Sequence, residues 1–220
     1  MHMTVEEFLT SLEEENRARF ERLVELSAGG EAPASLTVER LLRVALKNEL
    51  EASEIAAIWM ADTEDLRVKL ALARQAGDEA KHYRLIEERL SELGVDASAI
   101  DPRQGGYSPL FGYLRGLTDT ASRVAAGQFT REGIALARNQ CFIDFCESRL
   151  DGKTAALYRD VIQPDERHHH EMGRKLLSRV VSSEQDRERV LEAARRTIQL
   201  AEEAQETARL KAGLTRAPGC

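Results

Sequence analysis

The sequence predicts an all-α fold: four long amphipathic helices forming a bundle, a long connection between the second and third, and one further helix at each end. Three observations carry this reading. Leu, Ala, Glu and Arg, all good helix formers, dominate the composition. Apolar residues recur at three- and four-residue spacing through several long stretches. The 14 Gly and 5 Pro gather in the few places between those stretches, where helices have to end. The expected division is 1–34 for an N-terminal helix and linker, 35–182 for the four-helix bundle, and 183–220 for a C-terminal helix and tail.

Val5, Phe8, Leu9, Leu12, Phe20, Leu23 and Val24 mark the N-terminal helix from Thr4 to Leu26, with Glu13-Glu14-Glu15-Asn16 interrupting its stripe. A Gly-Gly-Glu-Ala-Pro-Ala-Ser linker (29–35) follows, and Thr37 is suited to cap the first bundle helix, 38–62. That helix presents Leu42, Ala45, Leu46, Ala52, Ala56 and Trp59, with Glu49 set among them. After a turn at Asp62-Thr63-Glu64, the second helix, 64–93, presents Val68, Leu72, Ala76, Ile86 and Leu90 together with Glu79 and His82, and Gly94 closes it.

Residues 95–117 hold Pro102, Gly105, Gly106, Pro109 and Gly112 and read as a crossing segment with one short helical turn. The third helix, 118–150, turns through Asp151-Gly152-Lys153 into the fourth, 154–181. A charged helix, 183–213, has a thin stripe of Val190, Leu191, Ala194, Ile198 and Ala201. It is expected outside the bundle or against a second subunit, so the terminal helices are the surfaces for a homo-oligomer.

Charge and cysteines narrow the function. A net charge of −7 disfavours a broad grip on nucleic acid, which depends on many Lys and Arg contacts. The three cysteines, Cys141, Cys146 and Cys220, contain no C-x-x-C, so neither a disulfide framework nor a zinc ribbon is indicated. Cys141 and Cys146 read as core residues and Cys220 as a mobile end without a role. The N-terminus turns acidic at Glu6-Glu7 without the basic and apolar regions of a secretory signal, and no apolar run approaches the roughly 20 residues needed to span a bilayer. The expectation is a soluble, cytoplasmic protein with no membrane partner.

The main functional clue is a repeated motif. Asp78-Glu79-Ala80-Lys81-His82 and Asp165-Glu166-Arg167-His168-His169 each place a carboxylate and an imidazole three residues apart, on one side of a helix. The two copies stand 87 residues apart, both in their Glu and in their His. A carboxylate on the dry face of a helix is costly unless paired or bound to metal. One Glu-x-x-His is a common surface pair, but two copies on buried faces point to a metal site. Two helices bearing Glu-x-x-His, joined by two that each add one Glu, form an established dimetal carboxylate arrangement.

These motifs, with Leu93-Gly94 after the first and Gly173 after the second, resemble the ferritin-like superfamily of diiron carboxylate proteins over residues 38–181. Rubrerythrins, bacterial tRNA-modifying diiron hydroxylases and several diiron oxygenases share the pattern, and the sequence does not choose among them. The resemblance implies a ferritin-like bundle binding two transition-metal ions, iron first, with manganese or a mixed pair as alternatives. The implied ligands are Glu49, Glu79, His82, Glu132, Glu166 and His169, with Glu79 and Glu166 bridging. Glu49 precedes Glu79 by 30 residues, whereas Glu132 precedes Glu166 by 34. Glu132 therefore needs a bulge or tilt of about one turn (about 5 Å) to reach the same level. Gln140, Asp144 or no residue at all are the alternatives there.

Glu51 is a reserve candidate, and Glu54, His170 and Glu171 read as exposed. Asp165/His168 is an alternative pair, and Tyr83, Tyr158 and Trp59 read as packing residues. Pro164, two residues before Glu166, marks either a kink or a new helix start.

The resemblance implies a non-haem oxidoreductase of hydroxylase or oxygenase type that activates O2 or peroxide and acts on a small-molecule substrate. Its electrons would come from a separate donor, since no flavin, nicotinamide or iron–sulfur motif is present. The alternatives are a metal-handling protein without organic substrate and a structural bundle whose site has decayed.

Overall fold

The computed structural model describes residues 3–28, 32–33 and 35–220. Met1, His2 and most of the expected linker (Gly29, Gly30, Glu31 and Ala34) lie outside the described residues. Seven helices make up the described chain: α1 (Val5–Ala28), α2 (Val38–Asp62), α3 (Leu66–Glu92), α4 (Pro109–Gly116), α5 (120–148), α6 (152–180) and α7 (Glu184–Ala212). No strand occurs among the described residues, and no helix among them is long and apolar enough to cross a membrane.

Local chemistry sets the ends. Thr37 accepts from the backbone N–H of Arg40 to open α2, and Asp65 accepts from those of Arg67 and Val68 to open α3. Gly94 takes a positive φ of 84° just past α3. Asp119 caps α5, and Ser183 with Asp186 forms a capping box at α7. The turn between α5 and α6 sits slightly earlier than the expected 151–153. Leu150, almost wholly exposed, takes the left-handed conformation, and Asp151 becomes the N-cap of α6.

Helices α2 and α3 pack as one hairpin, α5 and α6 as another, with α3 also against α6. Two separate apolar cores show how they run. The first holds Ile55 and Trp59 of α2, Val68 and Leu72 of α3, Val124 and Phe129 of α5, and Leu176 and Leu177 of α6. The second holds Leu42 and Leu46, Ile86 and Leu90, Phe142 and Ile143, and Tyr158 and Ile162 from the same four helices. Thus α2 and α6 run from the second core towards the first, and α3 and α5 run the opposite way. The two hairpin turns lie at opposite ends, and residues 93–119, with α4, span the length between them. Between the cores every one of the four helices carries buried polar residues instead.

The terminal helices close one side. α7 packs along the start of α5, and α1 lies against α5, α6 and α7. The placement of α7 outside the four helices matches the expectation, with its partner in the same chain. The acidic run of α1 does not break it: Asn16 is buried, and its amide donates to Thr130 Oγ1 at 3.3 Å. Nor is Cys220 a loose end. Its carbonyl oxygen accepts from Arg131 Nη2 at 2.8 Å, and the residue packs partly buried against the core.

Both helices of the second hairpin widen near the polar layer. Ala125–Arg131 of α5 and Tyr158–Ile162 of α6 form π turns, in which the hydrogen bond reaches one residue further than in an α-helix. In α6 the cause is visible in sequence: Pro164 lacks the N–H and crowds the preceding turn, so the α pattern resumes only at Gln163. The helix therefore continues through Pro164 instead of starting there. In α5, Gly127 lets the Trp59 ring in, since a Cβ would lie 2.6 Å from it. Gly173 of α6 lies directly on this π turn. A Cβ there would sit 2.7 Å from the backbone carbon of Gln128 and 2.7 Å from the nitrogen of Phe129.

This close approach yields a prediction. Because backbone cannot step aside as a side chain can, Gly173→Ala should destabilise the fold by about 1–3 kcal/mol, read by denaturant unfolding. A change within error would mean that α6 is free to shift away from α5.

Candidate metal centre

Each polar residue of the central layer sits in an apolar helical stripe. Glu49 continues the row of Ala45 and Leu46 towards Ala52 on α2, and Gln75, Glu79 and His82 continue that of Val68 and Leu72 towards Ile86 on α3. Glu132 follows the π turn of α5, while Glu166 and His169 follow that of α6. All six candidate residues are at most 3% exposed. The structure brings them together as two overlapping sets. Glu49, Glu79, His82 and Glu166 form one, and Glu79, Glu132, Glu166 and His169 the other, with one donor atom from each residue lying within 4.8 Å of the rest of its set. Glu79 and Glu166 belong to both.

The imidazoles point the same way. His82 Nδ1 lies 3.1 Å from Glu79 and 3.5 Å from Glu49, and His169 Nδ1 lies 3.5 Å from both Glu79 and Glu166. Their outer nitrogens are held crosswise. His82 Nε2 is 3.1 Å from Asp165 of the other motif, and His169 Nε2 is 3.1 Å from Asp78. An Nε2–H donated to a carboxylate leaves the Nδ1 lone pair of a neutral ring facing inwards, the orientation a metal-ligating histidine requires. Each Asp is itself anchored by a cation: Asp78 accepts from Arg74 Nε at 3.2 Å, and Asp165 accepts from Lys81.

Glu132 reaches the layer despite its longer separation. Three residues more lie between it and the hairpin than lie between Glu49 and its own, but the π turn ends immediately before Glu132 and resets the direction it faces. Gln75 Nε2 donates to its Oε1 at 2.6 Å, and Arg131 Nη1 lies 3.2 Å from the same oxygen. Arg131 also donates to the carbonyl of Asn48, next to Glu49. Burial opposes its charge, but Glu132, Cys220, Glu79 and Glu49 outweigh that and hold the guanidinium above its usual range.

The electrostatics describe a box too crowded with negative charge to stay fully ionised. Burial pushes Glu49 up to about 7, against the opposing hydrogen bond from His82. Burial, then the charges of Glu79 and Glu132, hold Glu166 well above the carboxylate range. Burial would also raise Glu79, but His82 and His169 outweigh it and hold it down at about 2. For His82, burial disfavours the charged ring, yet Glu49 and Glu79 push it up to about 12. Burial and mutual repulsion thus favour protons bound in the layer, and three buried atoms lack any hydrogen-bond partner: Glu79 Oε1, Glu166 Oε2 and His169 Nδ1. All three belong to the second set. Buried polar atoms without partners are rare, and four carboxylates with two neutral imidazoles have the charge and donor types that two divalent transition metals need. The residues fit a metal pair.

The remaining candidates lie elsewhere. Glu51 accepts from the backbone N–H of Ser108, the N-cap of α4, and Glu54 accepts from the Tyr107 hydroxyl. Gln140 and Asp144 are exposed and bond to each other. Glu171 is exposed as expected, but His170 is not: its Nδ1 lies 2.7 Å from the Phe129 carbonyl oxygen and its ring stacks on Phe129. Tyr83 is half-buried, and Tyr158 is fully buried against Phe142 with no partner for its hydroxyl. Trp59 is core.

Sequence reasoning missed Asp78, Asp165, Gln75 and Arg131. For the two Asp the signal was present, since each precedes its Glu in both motifs. Local spacing offers Asp165 the alternative pair with His168 on its own helix, whereas its partner His82 lies across on α3. Removing such supporting carboxylates costs about 10–100-fold in metal affinity. Asp78→Asn and Asp165→Asn should each weaken loading by that factor in a competition titration with a chelator, while far-ultraviolet circular dichroism stays unchanged. Unaltered affinity in both would show that the crosswise contacts do not set the imidazoles.

No curated protein and no solved structure matches the chain. A family model does: residues 46–218 match the family described as "Protein of unknown function (DUF455)". The match takes in all six residues of the layer and most of the chain, and the chain belongs to this family.

Proposed function

We propose that this chain is a ferritin-like dimetal carboxylate protein, with iron as the metal pair, that oxidises a small molecule using O2 or peroxide. The observation that carries the reading is the pair of overlapping sets sharing Glu79 and Glu166. The hairpins turned at opposite ends, with a connection running the length of the bundle, support the ferritin-like arrangement.

In this reading Glu79 and Glu166 are the shared carboxylates, Glu49 and His82 complete one position, and Glu132 and His169 complete the other. When bound there, a reduced metal pair would supply the electrons for activating O2 or peroxide. The protein's contribution lies in its own residues. Asp78 and Asp165 hold the two imidazoles in orientation, Gln75 and Arg131 hold Glu132 by one oxygen, and the apolar cores on both sides keep bulk water out. The protons on His82 and Glu166 must leave when cations enter, so affinity falls as pH falls. A separate protein or small molecule would supply reductant.

Anaerobic loading with Fe(II) tests this. Two ions per chain should bind with release of protons, and Glu166→Ala or His82→Ala should lose most of the metal while Glu54→Ala keeps it. Equal retention in all three refutes the assignment. Metal binding without O2 consumption under any reductant would favour a metal-handling role over oxidation.

A further inference from the structure

A groove between α3 and α6 leads from the surface to the layer, enclosing about 380 Å³. That volume is within the range of small-molecule sites. His169 lies in its lining, so the groove meets the candidate centre on the side of the second set. Its charge is opposite to that of the chain as a whole. Arg67 and Arg74 line it from α3, Lys175 and Arg179 from α6, and no carboxylate does. Arg67, Lys175 and Arg179 are exposed and have no ion-pair partner among the described residues. Between these cations lies apolar surface: Leu70, which is 55% exposed, with Ala71, Met172 and Leu176.

The inner end is polar and unsatisfied. Gln128, from the π turn of α5, lines the groove at 1% exposure, and its Oε1 has no hydrogen-bond partner. A buried amide oxygen of this kind costs free energy unless a ligand or water donates to it. A buried amide beside His169 inside, apolar walls, and like charges around the mouth form a receptor for a molecule with a hydroxyl or amine at one end and an anion at the other.

We infer that the α3–α6 groove binds a small amphipathic organic anion, a carboxylate or a phosphate monoester. Its charged head lies among Arg67, Lys175 and Arg179, and its apolar body runs along Leu70 and Met172 towards Gln128 and His169. Calling this anion the substrate rests on the dimetal reading; its binding does not. Cations clustered at a low-dielectric cleft raise the local concentration of an anionic ligand even on an acidic protein. Arg74 gives the ligand a route to the centre, because the same guanidinium holds Asp78, which holds His169.

Isothermal calorimetry with 6-hydroxyhexanoate and 6-hydroxyhexyl phosphate as probes, on metal-free and Fe(II)-loaded protein, tests the inference. At least one of the two anions should bind at one per chain, with 1,6-hexanediol and 6-aminohexanol at least tenfold weaker, and the better anion identifies the head group. Lys175→Glu combined with Arg179→Glu should weaken the anion at least tenfold while leaving melting temperature and metal content unchanged. Unchanged affinity in the double variant, equal binding of the diol, or binding only of a long polyanion such as an RNA oligonucleotide would overturn it. Failure of the dimetal reading gives a different pattern: anion binding persists while Fe(II) does not load.

Discussion

Four carboxyl groups enclosed in one layer of a helical bundle repel one another at short range, and the apolar cores on either side of them cannot screen that repulsion. Glu49, Glu79, Glu132 and Glu166 stand in this position, accompanied by two imidazoles and the buried guanidinium of Arg131. Protons relieve part of the strain, since Glu166 is held above the carboxylate range and His82 is pushed up to about 12. They do not satisfy every atom, because Glu79, Glu166 and His169 each keep an unpartnered donor or acceptor. Two divalent cations would balance the four negative charges and occupy those atoms. The rest of the fold follows from holding such a layer together: dry packing on both sides, with Asp165 and Asp78 holding the two imidazoles and Gln75 and Arg131 holding Glu132 from behind.

Near-symmetry makes this economical. Helices α2 and α3 relate to α5 and α6 so that Glu49 corresponds to Glu132, Glu79 to Glu166 and His82 to His169. The Asp of each motif then meets the His of the other. Symmetry breaks where the backbone widens. The second hairpin carries a π turn in each helix and a longer separation between its two glutamates. The π turn of α5 also presents Gln128 to the α3–α6 groove and Phe129 to His170, while Gly173 lets α6 lie against it. The irregular half of the bundle thus adds a buried amide to a groove that α3 and α6 form together.

Much of this was legible in the sequence because helical periodicity and repetition are strong local signals. The limits of α2 followed from Thr37 and the turn after Asp62, and the six layer residues followed from the doubled Glu-x-x-His with Glu49 and Glu132. What was not legible depended on contacts across helices. Asp165 sits three residues before His168, so a local rule pairs those two, yet the carboxylate points at His82 of α3. The π turn before Glu132 has no proline to announce it, and Arg131 looks like any surface arginine until the bundle closes over it. Cys220 shows the same limit: nothing local to a terminal cysteine foretells that Arg131 will hold its carbonyl oxygen.

A crystal structure of Fe(II)-loaded protein, with anomalous data collected at the iron edge, tests most directly whether the layer holds a metal pair. Two anomalous peaks per chain are expected, one bounded by Glu49, Glu79, His82 and Glu166, the other by Glu79, Glu132, Glu166 and His169. Glu79 and Glu166 should contact both. No peak in the layer, or metal bound only at exposed carboxylates while the layer stays closed by its own protons, would contradict a metal pair there.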